Sequence, residues 1–346
     1  MNGPQAFSAP SGRRAAVAGW GLAVPEGRLT NQDWVERVDT SDQWIVERTG
    51  IRERRVAGPG ESTATLAIAA GAAAMKQADL TPGDIGACIV ATVTPEQPIP
   101  FTAAYVQDGL GLRCGAFDID AACSGFVYGL VVASSMIASA ALDAVLLIGS
   151  ETLLRIADWS DRSTAVLFGD GAGAVVLVPS RDAGLLAWDL GCDGSAAHLL
   201  SQAAGGSRLP TTLETVAAGQ HYLRMEGQEV FRRAVRAIVD SAAGTLDRAG
   251  VRPDEVALMV PHQANLRIID AAATRLGIPR ERTFKNIDRY GNTSAASIPL
   301  ALAEAADFGL LHPGDLVLLS GFGAGMSWAS ALLRWGGADL ELSADV

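Results

Sequence analysis

The feature that most constrains this chain is that it repeats itself at long range. Residues 73–85 read as a helix closing on Leu80-Thr81-Pro82-Gly83-Asp84, and they lead into the strand-like Ala87-Cys88-Ile89-Val90. Residues 243–256 read the same way through Val251-Arg252-Pro253-Asp254, and they lead into Ala257-Leu258-Met259-Val260. Each is a helix, a Pro-containing turn and a buried strand. Asp143-Ala144-Val145-Leu146-Leu147 returns as Asp315-Leu316-Val317-Leu318-Leu319, and the segment around Cys123 has a counterpart in residues 284–292. The offsets agree at about half the chain, which marks an internal duplication. Units this long are pseudo-equivalent domains rather than solenoid repeats.

Apolar strand runs alternate with helical patterns in each half, so the expected class is α/β, with parallel strands in helix-covered sheets. The division falls where Pro179-Ser180-Arg181-Asp182 interrupts a strand-like run. It gives halves 14–181 and 182–336, between a flexible extension 1–13 and an acidic tail 337–346. Duplication has a functional consequence: the strand-to-helix turns carrying Cys123 and Asn292 are expected to face each other across a pseudo-twofold axis.

Charge and thiol usage narrow the function. The net charge is −11, which excludes nucleic acid as the main partner, because phosphate binding needs a basic surface. Residues 121–142 carry no charge and are long enough to span a bilayer. No positive cluster or aromatic belt flanks them, so they read as a helix buried in the core rather than a membrane segment. The four cysteines, Cys88, Cys114, Cys123 and Cys192, fit no zinc or disulfide spacing. With no secretory signal, reduced thiols in the cytoplasm are expected.

One thiol stands apart. Cys123 follows the β-like Phe117-Asp118-Ile119 and opens the uncharged helix. A thiol there lies near unpaired backbone N–H groups and the positive end of a helix dipole, both of which favour the nucleophilic thiolate. Cys88, Cys114 and Cys192 read as small buried hydrophobes. Of the four histidines, only His262 ends an apolar strand and precedes polar groups and a helix. Asn292 follows Gly291 in the turn matching that of Cys123.

These segments resemble a known family. Ala121-Ala122-Cys123-Ser124-Gly125, Val260-Pro261-His262-Gln263-Ala264-Asn265 and residues 290–297, Tyr-Gly-Asn-Thr-Ser-Ala-Ala-Ser, are similar to the signature segments of β-ketoacyl-acyl carrier protein synthase III. Residues 39–54, which include Thr40, Trp44 and Arg48, and Phe168-Gly169-Asp170-Gly171-Ala172-Gly173-Ala174 match it too. The likeness runs from about residue 14 to Trp335. It implies a thiolase-like fold, an internally duplicated five-layered α-β-α-β-α sandwich. It also implies a homodimer that takes acyl-CoA and malonyl-acyl carrier protein and needs no metal or organic cofactor.

The implied reaction is a decarboxylating Claisen condensation. Cys123 takes an acyl group as a thioester. His262 and Asn292 then hold the thioester carbonyl of the malonyl carrier and stabilise the enolate left when carbon dioxide departs. A second oxyanion site would use the backbone N–H groups of Cys123 and Ala324, the latter in Gly321-Phe322-Gly323-Ala324-Gly325. The resemblance places Trp44 on the adenine of CoA, Arg48 and Arg162 near its nucleotide or phosphates, and Phe322 beside the nucleophile. Thr40 and Asn265 join the substrate contacts. Arg267 with Arg232, Arg233 and Arg236 forms a basic patch for the acidic carrier. In the family, the stretch matching residues 94–101 closes the partner subunit's acyl pocket; here the plug is Ile99 or Phe101.

Three rival readings remain at this point. A starter-unit synthase or acyltransferase of the same fold would move the acyl group to a specialised acceptor. A Cys-His-Asn hydrolase would use water. A partner subunit would carry no chemistry at all.

Overall fold

The computed structural model describes residues 12–337. Most of the 1–13 extension and nearly all of the 337–346 tail lie outside the described residues. Arg13, assigned to the extension, instead belongs to the folded body: it is buried and bonds the Ile137 and Leu142 carbonyls and Asp143.

Nine strands build the two main sheets. The first half supplies β1 (Arg14–Ala23), β2 (Ala87–Ala91), β3 (Gly115–Ile119), β4 (Val145–Thr152) and β5 (Asp170–Ser180). The second half supplies β6 (Gly184–Cys192), β7 (Leu258–Pro261), β8 (Leu316–Gly323) and β9 (Ser327–Arg334). The first sheet has the order β1-β5-β4-β2-β3, with β3, β2 and β4 mutually parallel. The second has β6-β9-β8-β7, with β7 and β8 parallel. Under the duplication these orders are the same, except that the partner of β3 shrinks to one bridge, Met259 to Thr283. Where the chain leaves the sheet, Lys285 pairs with Asp270 and the Asn286 amide donates to the buried Glu304.

Seven helices matter for the layers: α1 (Asp42–Thr49), α2 (Thr63–Gln77), α3 (Thr102–Gly109), α4 (Gly125–Ala138), α5 (Gly227–Ala249), α6 (Leu266–Leu276) and α7 (Ser297–Asp307). The outer layers are α2 with α3 and α5 with α6; α4 and α7 lie between the sheets. This is the five-layered thiolase-like sandwich. Alternate residues of a strand serve different cores: Val145 and Leu147 face the central layer, Leu146 and Ile148 face α2. Both faces being covered explains the unbroken apolar runs. Each fully buried aliphatic side chain contributes about 1.5–3 kcal/mol.

Helix α4 is the uncharged segment. Phe126, Leu130 and Ile137 pack it into the central core, so its all-round hydrophobicity reflects burial between two sheets. No helix among the described residues is long and apolar enough to cross a membrane.

Candidate active site

The two central helices begin beside one another, and their first turns form the floor of the site. Ala122–Ser124 is a 3-10 turn leading into α4, and Ser294–Ala296 is one leading into α7. Ala122 and Ser294 both have positive φ, 49° and 46°. The Ala122 N–H donates to Asp120 Oδ1 at 3.1 Å, and the Ser294 N–H donates to Asn292 Oδ1 at 2.9 Å. The true duplicate of Cys123 is therefore Ala295, and the duplicate of Asn292 is Asp120. This corrects the pairing of Cys123 with Asn292: the turns do face each other, but in a register three residues away.

The same capping bond orients Asn292. Its side-chain oxygen is held by the Ser294 N–H, and its Nδ2 has no protein acceptor among the described residues. The amide therefore offers its N–H groups to the cavity. The Asn292 backbone is pinned by the loop before β5: Asn292 N–H donates to the Leu167 carbonyl, and Gly169 N–H donates to the Asn292 carbonyl. A Cβ on Gly169 would lie 2.2 Å from the Tyr290 carbonyl, so this glycine-rich stretch serves close packing between the halves.

His262 follows β7, and its loop is held by Gln263, whose amide reaches the Pro261 and Phe284 carbonyls. The His262 Nδ1 lies 2.5 Å from Ser297 Oγ, the first residue of α7. Burial pushes the imidazole down to about 3, so it is neutral. Ser297 Oγ also accepts from the Gln263 N–H, which leaves its own proton available to Nδ1. With Ser297 donating to Nδ1, the neutral ring carries its proton on Nε2, where His262 can donate.

Cys123 is 8% exposed and lines a cavity of about 620 Å³ together with His262, Asn292, Asn265, Phe322 and Ala324. Burial, the largest cause, pushes the thiol up to about 12; the Ser294 hydroxyl lowers it, and the Glu151 carboxylate adds a smaller rise. Against the expectation that backbone and dipole favour a thiolate, burial of this turn favours the thiol as the resting group. Strand β8 abuts this turn. A Cβ on Gly323 would lie 2.6 Å from Cys123 N, so only glycine lets Phe322 and Ala324 come so close.

At the rim, the arginines gather on Trp44. The Arg162 and Arg48 guanidiniums stand 5.0 and 5.9 Å from its ring centroid. Ser41 caps α1 by accepting from the Trp44 N–H, and Gly50 ends it with φ 83° against Leu266. Asn265 lines the cavity, caps α6 and donates to the Arg48 carbonyl, tying rim to floor. The half-buried Thr40 hydroxyl has no hydrogen-bond partner among the described residues.

The basic patch is only partly free. Arg232 and Arg233 both pair with Glu229, and Arg233 also with Asp193. Arg236 and Arg267 have no carboxylate partner among the described residues, and Arg267 lies over Phe231. Ile99 and Phe101 are exposed at 85% and 45% and do not line their own chain's cavity. Cys192 is exposed at the cavity wall, not buried as its sequence context suggested, because it ends β6 where the strand leaves the sheet. Sequence reasoning missed Ser297, Ser294 and Glu151. A lone carboxylate ending the apolar run of β4 was the available signal for Glu151.

The chain matches two family profiles, 3-oxoacyl-[acyl-carrier-protein] synthase III over residues 117–194 and the C-terminal part of the same synthase over residues 246–335. It is 55% identical to the β-ketoacyl-[acyl-carrier-protein] synthase III of Roseiflexus sp. over 323 residues, 93% of this chain and 98% of the relative. The crystal structure of 3-oxoacyl-[acyl-carrier-protein] synthase III from Aquifex aeolicus is 45% identical, with TM-score 0.87 over 93% of this chain and 100% of that one. The priming β-ketosynthase of the R1128 polyketide pathway superposes with TM-score 0.88 at 33% identity, covering 97% of this chain and 98% of its own. Fold, residue pattern and these likenesses agree, and the chain belongs to the β-ketoacyl-acyl carrier protein synthase III family.

Proposed function

We propose that Cys123, His262 and Asn292 carry out the reaction of this family, the condensation of an acyl-CoA with malonyl-acyl carrier protein. Cys123 attacks the acyl-CoA carbonyl, and CoA leaves. The malonyl thioester then sets its carbonyl oxygen between His262 Nε2–H and Asn292 Nδ2–H. Loss of carbon dioxide leaves an enolate whose charge those donors stabilise. Its carbon attacks the acyl-Cys123 carbonyl, the charge passing to the Cys123 and Ala324 N–H groups. Collapse expels Cys123 and releases the 3-oxoacyl carrier.

The observation that carries this reading is that two neutral donors share one buried cavity with the thiol. A hydrolase would need its imidazole to take a proton, which burial of His262 opposes. Simple acyl transfer would not need a paired donor site for an enolate.

Trp44, Arg48 and Arg162 form the CoA rim in this reading, with Thr40 and Asn265 beside the ligand, and Arg236 and Arg267 receive the carrier. A homodimer is favoured by the exposed Ile99, Phe101, Tyr105 and Val132 and by β3 at the sheet edge. Ile99 or Phe101 would then reach the partner's cavity. The test supplies acyl-CoA and labelled malonyl carrier: an acyl mass on Cys123 and released carbon dioxide are expected, and acylation without carbon dioxide release would replace condensation with simple acyl transfer.

A further inference from the structure

A buried carboxylate lies behind the nucleophile, and the reaction as written gives it no role. Glu151, near the end of β4, is 0% exposed. Its carboxylate accepts from the hydroxyls of Thr92 and Thr94, the N–H groups of Val93 and Thr94, and more distantly the Ala295 N–H at 3.4 Å. No cation pairs with it among the described residues. Five donors around an anion without a counter-charge make a site that can hold either a charge or a proton.

The Ser294 hydroxyl connects this site to the cavity. It lowers the pKa of both the Cys123 thiol, on the cavity side, and the Glu151 carboxylate behind it, whose Oε1 also faces the N–H of the next residue, Ala295, at 3.4 Å. Ser294 lines the cavity and Glu151 does not. Packing fixes the bridge: a Cβ on Gly149 of β4 would lie 2.3 Å from the Ala295 carbonyl, so β4 runs directly beneath the second turn. The positive φ of Ser294 is the conformation adopted between the two groups.

A proton acceptor is also what the mechanism lacks. Cys123 rests as a thiol, and its proton must go somewhere when sulfur attacks. His262 is poorly suited, because burial disfavours its charged form and its Nδ1 is already engaged by the Ser297 hydroxyl. Burial raises Glu151 to about 7, so near neutral pH it is both ionised often enough to accept and basic enough to hold a proton. From the first turn the titratable group facing it is Cys123. The loop after β2 and the second turn present only hydroxyls and N–H groups.

We infer that Glu151, acting through the Ser294 hydroxyl, takes the Cys123 proton during acylation and returns it to the departing CoA sulfur. Ser294 passes its own proton to Glu151 as it receives the thiol's, and the S–H electron pair forms the new S–C bond. The acyl C–S bond to CoA breaks, its pair stays on the CoA sulfur, and the stored proton comes back by the same path. One thiol is consumed and one is formed, so nothing else is required. This inference rests on the proposed acylation of Cys123.

The test follows the acyl mass on Cys123 against time and pH, using acetyl-, butyryl- and isobutyryl-CoA. Wild type, Glu151→Gln and Ser294→Ala are compared. Both variants are expected to acylate about 100-fold more slowly and to lose the limb that rises through neutral pH. Once acylated by long incubation, each is expected to decarboxylate malonyl carrier at close to the wild-type rate. Acylation at the wild-type rate, a slow variant that keeps the neutral limb, or equal slowing of both half-reactions would each overturn the relay. Should Glu151→Gln not fold, as judged by its melting transition, Ser294→Ala decides by the same criteria. A wild-type protein that gains no acyl mass would instead overturn the acylation reading itself.

Discussion

The first turns of α4 and α7 are one backbone device built twice. Each is a 3-10 turn with a positive-φ residue at its first position, each is capped by an Asx side chain two residues upstream, and each opens a helix buried between the sheets. They differ in what they present. The first puts a thiol at its second position and caps with Asp120; the second puts Ala295 there and caps with Asn292. An aspartate and an asparagine serve equally as acceptors for the capping N–H, but only the asparagine keeps donors for a ligand. Duplication supplied two helix starts at one cavity, and a few side chains made one a nucleophile and the other an oxyanion site.

The largest effect comes from erasing the first turn's speciality. Cys123→Ala makes the two turns alike at that position, and condensation is expected to fall by about 10⁴-fold or more. Intact-mass measurement after acyl-CoA exposure should show no acyl adduct; a full adduct elsewhere with turnover retained would refute the assignment. The next effect erases the second turn's speciality. Asn292→Asp keeps the acceptor for the Ser294 N–H, so the turn should hold, but it loses the donor and sets a charge against the enolate. Decarboxylation of malonyl carrier is expected to drop about 10²–10³-fold while Cys123 acylation persists. Equal loss of both steps would show that Asn292 serves the turn and not the enolate.

Much of this was legible in the chain. The repeated order of helix, turn and strand gave the two sheets, since burial on both faces leaves long apolar runs. Cys123 and His262 stood out because a thiol at a helix start and a histidine at a strand end are chemically conspicuous. The register of the duplication was not legible: it is marked by positive φ at Ala122 and Ser294, and neither residue type announces that conformation. The resting charge of Cys123 was not legible either. A turn's dipole can be seen in sequence, whereas burial by β8 and the approach of Glu151 exist only after folding.

Smaller effects test how each turn is tuned. Ser297→Ala removes the hydroxyl beside His262 Nδ1 and frees the other tautomer. About a tenfold loss in decarboxylation is expected, equivalent to about 1.4 kcal/mol, with acylation nearly unchanged. Asp120→Asn makes the first cap resemble the second. The Asp120 carboxylate raises the Cys123 pKa, so its removal lowers it and leaves more thiolate at any given pH. Alkylation of Cys123 by iodoacetamide is expected to rise by about two- to fivefold. A slower reaction would mean that the aspartate holds the turn in a way asparagine does not reproduce.

The smallest effect separates backbone from chemistry. Ala122→Gly and Ser294→Gly each relieve a side chain at positive φ, while glycine gives the unfolded chain more freedom; the two effects oppose each other, and each variant is expected to melt within about 1 kcal/mol of wild type. Similar stabilities would support the structural equivalence of the turns, and a gap of several kcal/mol in thermal unfolding would refute it. Activity should divide them all the same. Ala122→Gly leaves every polar group in place and should acylate normally, whereas Ser294→Gly removes the hydroxyl between Cys123 and Glu151. Equal backbones with unequal acylation would locate the asymmetry of this duplicated site in side chains alone.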